Sequence, residues 1–135
     1  MNAGIAISAS KLTKRFGTFT AVDAIDLDVK QGEIFGFLGA NGAGKTTAMK
    51  MFIGLSKPTS GEATVAGFDV YTQSEEIKRN IGYMSQRFSL YNDLTVRENI
   101  RFYGGIYGLD DARLKQRTEQ MIEELGLTDH AKTLL

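Results

Sequence analysis

The sequence predicts an α/β fold, and three adjacent features of the chain predict it. Residues 33–38, EIFGFL, are apolar on both faces, as expected of a strand buried in a parallel sheet. A glycine-rich run, GANGAGKTT, follows at residues 39–47. Residues 45–53 then have the pattern of a helix, with Gly54 placed to end it and Pro58 just beyond. Strand, glycine-rich loop and helix in this order are typical of an α/β domain.

The sequence predicts four further short strands, two of them from alternating side chains. Residues 5–7 alternate isoleucine with alanine, and residues 25–29 alternate apolar side chains with Asp26 and Asp28, which gives that strand one wet, carboxylate face. A third strand, residues 62–66, lies between turn-forming residues. Residues 81–84 predict the fourth.

Helix-start signals predict the remaining elements. Thr72 and Glu75 have the spacing of a capping box that opens a short helix, and Thr95 and Glu98 form a second capping box. Residues 114–125 predict a last helix, ended by a glycine.

Two sets of side chains in this region are interpreted as structural. Large side chains at helical spacing after the second capping box favour packing over a ligand site: Phe102, Tyr103, Ile106 and Tyr107. His130, the only histidine, is interpreted as a solvated or helix-capping residue.

The composition excludes several classes of protein. Sixteen Lys and Arg residues offset sixteen Asp and Glu residues, so the sequence has no electrostatic signature for nucleic acid. The absence of cysteine excludes a disulfide framework and a thiolate metal site. No apolar run approaches the roughly 18 residues that a membrane span needs. The N-terminus, MNAGIAISAS, lacks the features of a signal peptide. We therefore expect a soluble, intracellular chain.

The glycine-rich run satisfies the P-loop pattern, with Gly39, four residues, Gly44, Lys45 and Thr46. Glycines let the backbone approach a phosphate closely, with N–H groups directed at it from a helix N-terminus. Lys45 supplies a positive charge for the β- and γ-phosphates, and the Thr46 hydroxyl is a hard oxygen ligand suited to Mg²⁺. Thr47 adds a hydroxyl toward the α-phosphate. The pattern, after a buried strand and before a helix, predicts a nucleotide site.

Longer stretches on both sides of the loop resemble the ATP-binding subunits of ABC transporters. The resemblance runs from KRFGTFTAVDAIDLDVKQGEIFGFLGANGAGKTTAMKMFIGLSKPTSGEATVAGFDV through IGYMSQ to LYNDLTVRENIRFYGGIYGL. The last stretch is most similar to ABC-2 type exporters. The resemblance implies a P-loop NTPase fold of the ABC ATPase type. It places an antiparallel β-subdomain and an incomplete P-loop core in residues 1–94, and the start of a helical subdomain in residues 95–135.

The resemblance also implies ATP and Mg²⁺ as cofactors and roles for single residues. Phe16 lies where the family places an aromatic ring, more often a tyrosine, that stacks on adenine. Gln86 lies at the family's Q-loop glutamine, whose amide oxygen can join the Thr46 hydroxyl as a Mg²⁺ ligand. The nucleotide-binding residues predicted in this way are Phe16, Gly39, Ala40, Asn41, Gly42, Ala43, Gly44, Lys45, Thr46 and Thr47.

The chain departs from the family in what it lacks. It ends before the position of the LSGGQ-like signature motif, and it contains no Walker B strand, no adjacent catalytic glutamate and no switch histidine. We therefore expect the chain to bind nucleotide without hydrolysing it, because nothing in it can position the attacking water. We also expect residues 33–38 to lie at an unprotected sheet edge.

The partners are likewise implied by the resemblance. They are a second nucleotide-binding domain and a transmembrane subunit that meets the segment after Gln86, RFSLYNDL. The complete protein would lie in the cytoplasm, on the cytoplasmic face of a membrane, and power export. Two alternatives stay open. One is an N-terminal half-ATPase of the chromosome-maintenance or DNA-repair type, although residues 110–135 show no sustained heptads. The other is a nucleotide-binding module without enzymatic activity.

Overall fold

The chain divides by its contacts into two compact units, Met1–Tyr83 and Met84–Leu135. The structure, a computed structural model, describes residues 4–40, 42–85 and 89–135. Within these ranges no helix has the length and apolar character needed to cross a bilayer. The division at residue 84 concerns contacts within this chain, and the domain boundary expected after residue 94 stays a prediction.

The first unit is built on a four-stranded antiparallel sheet with the order β2-β1-β3-β4. Its strands are β1 (Ile5–Phe16), β2 (Phe19–Lys30), β3 (Ser60–Val65) and β4 (Phe68–Asp69). β1 and β2 form a hairpin whose tight turn contains Gly17 at a φ of 58°, which glycine adopts without steric cost. The predicted antiparallel subdomain is confirmed, with a first strand longer than the alternation indicated and with β4 as an element that was not predicted.

An irregularity bends the long hairpin near its middle. Lys11 and Ala24 have positive φ values of 49° and 45°, which are uncommon for residues with a Cβ atom. The buried Thr13 hydroxyl stabilises both, because it donates to the Lys11 carbonyl at 3.1 Å and accepts the Ala24 N–H at 3.0 Å. On β3, a Cβ atom at Gly61 would lie 2.2 Å from the Lys11 carbonyl oxygen, so the bend requires glycine there. β-Bulges of this kind bend and twist a strand.

The predicted carboxylate face of β2 is confirmed. Asp26 and Asp28 are exposed. Asp26 accepts a hydrogen bond from the Lys11 ammonium at 2.8 Å, and Asp28 accepts one from the Ser8 hydroxyl at 2.6 Å. The hydrogen bond from Lys11 lowers the pKa of Asp26.

Two helices pack on this sheet, α1 (Lys45–Phe52) and α2 (Ser74–Asn80). α1 is the helix predicted after the glycine-rich loop, and Gly54 follows it at a φ of 74°. Each layer contributes one side chain without accessible surface: Leu12 from β1, Met51 from α1 and Ile77 from α2. Burial of such side chains from three elements holds α1, and with it the end of the glycine-rich loop, against the sheet.

The predicted helix α2 is confirmed, but its predicted capping box is wrong. The N-cap residue is Gln73, which makes no side-chain capping bond. The Thr72 hydroxyl instead donates to the Asp69 carboxylate at 2.9 Å, and Glu75 pairs with the Lys78 ammonium at 2.7 Å. The acceptor supplied by Asp69, at the end of β4, competes successfully for the hydroxyl that was assigned to the helix start.

Two of the predicted strands are wrong. Residues 33–38 and 81–84 form no regular secondary structure. Ile34 is fully exposed, and Leu38 and Met84 are each 93% exposed, whereas Phe37 packs against the core. An apolar strand is stable only between neighbours that satisfy its backbone and cover its faces, and no strand in the described part of the chain pairs with either segment. Residues 33–38 therefore form an exposed, unpaired segment instead of the expected sheet edge.

The second unit consists of α3 (Val96–Ile106), α4 (Asp111–Glu124) and a 3₁₀ turn, Thr128–His130. The capping box predicted at Thr95 and Glu98 is present, with both reciprocal bonds formed. Helix α4 contains residues 114–124 of the predicted range and ends one residue earlier than expected, with Leu125 as its C-cap. His130 is exposed, as expected of a solvated residue. Arg97 of α3 forms an ion pair with Glu119 of α4 at 2.6 Å, which ties the two helices together.

The aromatic side chains of α3 pack only in part. The Phe102 ring lies 4.9 Å from the Tyr91 ring and 5.4 Å from the Tyr103 ring, both edge to face, a favourable arrangement for aromatic pairs. Ile106 and Tyr107 are largely exposed. The interpretation of this face as packing is therefore confirmed for Phe102 and Tyr103 and wrong for the other two.

Candidate functional site

The glycine-rich loop lies between the exposed segment 33–38 and helix α1. Asn41 lies outside the described residues. Gly42 and Gly44 have φ values of 80° and 84°, in the left-handed region that favours glycine. Gly44 is restricted by space as well, since a Cβ atom there would lie 2.1 Å from the Ala21 carbonyl oxygen of β2. The backbone of the hairpin therefore rests directly against the end of the loop.

The Lys45 side chain folds back over the loop. Its ammonium donates to the carbonyl of Gly39 and, at 2.8 Å, to the carbonyl of Ala40. A backbone hydrogen bond of 3.1 Å from the Ala43 N–H to the same Ala40 carbonyl closes the loop into a turn. The predicted residues Gly39, Ala40, Ala43 and Lys45 thus surround one small region, in which an ammonium is held by neutral carbonyl oxygens. An anion would be a stronger partner for that ammonium.

Helix α1 presents unused donors to the same region. Gly44 is its N-cap and supplies no side-chain capping bond, and the first turn contains no acidic residue. The N–H groups of a first turn have no partner within the helix and carry its partial positive charge. Thr46 is exposed and Thr47 half-buried, and neither hydroxyl makes a hydrogen bond with any other described residue. The arrangement suits a ligand with several negatively charged oxygens.

The residues also fit a magnesium ion that arrives with a phosphate ligand. Among the described residues there is no group of three or more His, Asp or Glu side chains that could hold a metal by itself. Magnesium is commonly held by few protein ligands together with phosphate oxygens and water, and the free Thr46 hydroxyl is such a ligand. Gln86, the second predicted ligand, lies outside the described residues.

Phe16 lies at the tip of the hairpin with 55% of its surface exposed, which a residue of the core would not be. Phe19 is its partner across the turn and is 62% exposed. Sequence reasoning missed Phe19, although the pattern Phe-Gly-Thr-Phe, with a glycine inside a tight turn, would have placed both rings at one tip. Ala21, which contacts Gly44, lies two residues from Phe19, about 7 Å along the strand. The hairpin thus carries two exposed rings close to the glycine-rich loop.

The segment proposed to meet a membrane subunit, residues 87–94, is described from Ser89 onward. Asn99 of α3, 2% exposed, holds this segment. Its amide nitrogen donates to the carbonyls of Tyr91, Leu94 and Thr95 at 2.9, 3.2 and 3.1 Å, and its amide oxygen accepts the Tyr91 N–H at 2.9 Å. Sequence reasoning missed Asn99, since a single asparagine in a helix carries no local signal. The Tyr103 hydroxyl also donates to the Ser89 carbonyl at 2.5 Å, so two side chains of α3 hold the backbone of this segment while the Tyr91 side chain remains exposed.

Known proteins match this chain over most of its length. Residues 22–135 match the family model described as ABC transporter. The protein named "Probable multidrug ABC transporter ATP-binding protein YbhF" of Escherichia coli (strain K12) is 50% identical over 121 residues, which are 90% of this chain and 21% of that protein. The bacitracin transport ATP-binding protein BcrA of Bacillus licheniformis is 40% identical over 129 residues, 96% of this chain and 41% of that protein.

A solved structure of the ATP-binding subunit of an ABC transporter superposes with a TM-score of 0.80 at 26% identity, over 96% of this chain and 54% of that one. The fold expected from the sequence, that of an N-terminal part of an ABC ATPase, is therefore confirmed. The chain spans less than half the length of the two relatives above. With the family model matched over most of its residues, the chain belongs to the ABC transporter family, as part of an ATP-binding subunit.

Proposed function

We propose that this chain is the ATP-binding part of an ABC transporter ATPase that, in the complete protein, powers export across a membrane. The observation that carries the proposal is the Lys45 ammonium, held by two loop carbonyls in front of an uncapped helix N-terminus. A triphosphate would replace those carbonyls as the partner of the ammonium and would accept hydrogen bonds from the first turn of α1.

The remaining predicted residues complete the proposed site. Phe16 offers an exposed ring on which a base can stack, an interaction worth about 1–3 kcal/mol. Thr46 and Gln86 are the residues that would hold Mg²⁺. Magnesium neutralises charge on the phosphate oxygens when it is bound. The loop residues from Gly39 to Thr47 bind and orient the phosphates.

By itself, the chain is proposed to bind nucleotide without hydrolysing it. Phosphoryl transfer to water needs a group that orients the attacking water. The first turn of α1 has no acidic residue, and Glu33, which precedes the loop, is already bonded to the Lys30 N–H at 2.7 Å. The described residues near the loop can thus hold a triphosphate but offer no free carboxylate on α1 for the water.

Export and membrane association are proposals that rest on the relatives and on the second unit. The relatives named above are a multidrug and a bacitracin transport protein, which supports an exporter. We propose that a transmembrane subunit binds residues 87–94, where Leu90 and Tyr91 are exposed on the segment held by Asn99. The complete protein would then dimerise with a second nucleotide-binding domain and lie at the cytoplasmic face of the membrane.

Titration calorimetry with Mg²⁺–ATP tests the proposal, with Lys45→Ala compared with Lys50→Ala. Both variants remove one ammonium from α1, but Lys50 lies in the last turn, away from the loop. Loss of a hydrogen bond to a charged group costs about 1.5–3 kcal/mol, so we expect roughly 10- to 100-fold weaker binding for Lys45→Ala. We expect Lys50→Ala to bind like the unchanged chain, and equal affinities for all three proteins would contradict the site.

Phosphate release measured on the same proteins tests the second half of the proposal. The unchanged chain should release phosphate no faster than Lys45→Ala. A Lys45-dependent turnover of about 1 s⁻¹ or more, within the range usual for enzymes, would show that the chain is a complete ATPase. Steeply salt-dependent binding to duplex DNA would instead support the DNA-repair type of half-ATPase.

A further inference from the structure

A lysine covers one face of the exposed Phe16 ring. The ammonium of Lys14 lies 5.2 Å from the centre of the ring. A cation within about 6 Å of an aromatic centroid is attracted by the negative face of the ring. Lys14 and Phe16 are two residues apart on β1, and side chains at this spacing leave a strand on the same side. The contact is therefore built into the strand and occupies one of the two faces of the ring.

The Lys14 ammonium also has a hydrogen-bond acceptor in the backbone. It donates to the Lys57 carbonyl at 2.6 Å. That carbonyl belongs to a segment fixed to β1 by two hydrogen bonds, from the Thr59 N–H to the Thr13 carbonyl at 2.8 Å and from the Arg15 N–H to the Thr59 hydroxyl at 2.9 Å. Lys14 is thus a half-buried side chain with a fixed acceptor, unlike a lysine that moves freely in solvent.

We propose that Lys14 is a positioning residue for the base of the bound nucleotide: it holds the Phe16 ring by one face and leaves the opposite face for stacking. The inference rests on the proposed function, in which Phe16 stacks on a base. An exposed ring at a hairpin tip can turn about its side-chain torsions, and a base that stacks on it must stop this motion. A ring already restrained by Lys14 loses less freedom on binding, so the base binds more tightly.

A second effect of Lys14 must be separated from the first. Any positive charge near the loop attracts phosphates through space, whether or not it touches the ring. Arg15 provides the matched control, because it carries the same charge one residue along the same strand, is exposed, and makes no ring contact among the described residues. Tripolyphosphate provides the matched ligand, since it has the phosphates of ATP without the base.

The experiment measures affinities of the full chain for ATP and for tripolyphosphate, with Mg²⁺ present, for the unchanged protein and for Lys14→Met, Lys14→Arg and Arg15→Met. We expect Lys14→Met to bind ATP about two- to fivefold more weakly while its affinity for tripolyphosphate changes as little as that of Arg15→Met, in line with an exposed cation–π contact. Lys14→Arg should restore ATP binding, because a guanidinium also stacks on a ring face. Circular dichroism on each variant checks that the hairpin is folded.

Three outcomes would overturn the proposal. If Lys14→Met lowers the affinities for ATP and tripolyphosphate equally, the effect of Lys14 is a through-space charge effect. If it lowers neither affinity, the contact with the ring contributes nothing to nucleotide binding. The third concerns Phe16→Ala, which should weaken ATP more than tripolyphosphate and should abolish any further effect of Lys14→Met. If Phe16→Ala behaves in this way and Lys14→Met does not weaken ATP, only the role of Lys14 is wrong. If Phe16→Ala weakens both ligands equally, the base platform itself is wrong, and the role of Lys14 with it.

Discussion

At the scale of single residues, the site depends on positions where a side chain would be harmful as much as on side chains that bind. Gly44 combines a left-handed backbone with contact to the Ala21 carbonyl, whereas Gly42 has nearly the same φ and nothing within 4 Å of its would-be Cβ atom. The two glycines are equivalent in a motif and different in the folded chain. This difference allows the cost of backbone strain to be separated from the cost of a clash.

We expect Gly44→Ala to be more destabilising than Gly42→Ala. Both variants force an alanine into the left-handed region, at a cost of roughly 1–2 kcal/mol. Only Gly44→Ala also places a methyl group 2.1 Å from a backbone oxygen, and overpacking of this kind adds about 1–3 kcal/mol. Urea denaturation followed by circular dichroism gives the free energy of unfolding of each variant. Equal losses would mean that the hairpin does not rest on the loop.

At the scale of elements, the two predicted capping boxes differ in which groups form hydrogen bonds with the threonine. Thr95 caps α3 because its hydroxyl accepts the Glu98 N–H at 3.3 Å. In return, the Glu98 carboxylate accepts hydrogen bonds from the Thr95 N–H at 2.8 Å and from the Thr95 hydroxyl at 2.7 Å. Thr72 has the same spacing to a glutamate, but its hydroxyl donates to the Asp69 carboxylate instead. The spacing of threonine and glutamate therefore predicts a cap correctly only when no other nearby acceptor, such as a carboxylate three residues before the threonine, binds the hydroxyl.

The capping box gives α3 a dependence on pH. The hydrogen bond from the Thr95 N–H, and then that from the Thr95 hydroxyl, lower the pKa of Glu98 below its ordinary value of 4.5. A carboxyl with a lowered pKa in the folded state stabilises that state above its unfolded pKa, and the contribution is lost as the pH falls through the folded pKa. We expect the second unit to lose stability below about pH 4.5 for this reason.

Thermal unfolding between pH 3 and pH 7, followed by circular dichroism, measures the effect with Glu98→Gln as the test variant. Glutamine keeps a capping geometry but has no charge to titrate, so this part of the pH dependence should disappear. Glu123→Gln removes a carboxylate of α4 that makes no side-chain hydrogen bond with the described residues and serves as the control. A Glu98→Gln profile parallel to that of the unchanged chain would contradict the assignment.

Features that follow a known sequence pattern were predictable, and contacts that follow no pattern were not. The order of loop and helix around Lys45, and the capping box at Thr95, follow from residues a few positions apart. The Thr13 hydroxyl also accepts the N–H of Ala24, 11 residues further along, and the Asn99 amide binds the backbone of Tyr91, 8 residues before it. These contacts depend on how the chain turns between the two residues, and no sequence pattern marks them. In the site, Lys45 and Thr46 could be named from the motif, but the contact of Ala21 with Gly44 could not.

At the scale of the whole molecule, the two predicted strands that do not form are informative together. Residues 33–38 precede the loop, residues 81–84 include the point at which the chain passes from the first unit to the second, and the two segments expose Ile34, Leu38 and Met84. The matched ATP-binding subunit of known structure is almost twice as long as the part this chain covers. We propose that these segments become strands when they pair with a polypeptide that corresponds to the part of that subunit outside the match.

We therefore expect the 135-residue chain to self-associate in isolation, since exposed apolar segments with free backbone groups pair with one another. Light scattering and thermal unfolding would be measured for the chain alone and after addition of a separately produced C-terminal part from the complete protein. Mixing should reduce the apparent mass of the aggregates and raise the midpoint of unfolding. A monodisperse monomer that unfolds cooperatively above about 60 °C, with or without the added part, would show a self-sufficient domain.

The backbone contact between Ala21 and Gly44 has a consequence for the length of the ligand. For a molecule that reaches from the hairpin tip to the loop, the distance between the two ends is fixed by a contact between two parts of the main chain, and not by side chains that can change rotamer. The length of the ligand that fits is therefore set by the geometry of the strand. In the proposed site, we therefore expect substitutions at Phe16 or Lys45 to change the affinity for a nucleotide without changing the number of phosphates that fits between the base and the loop.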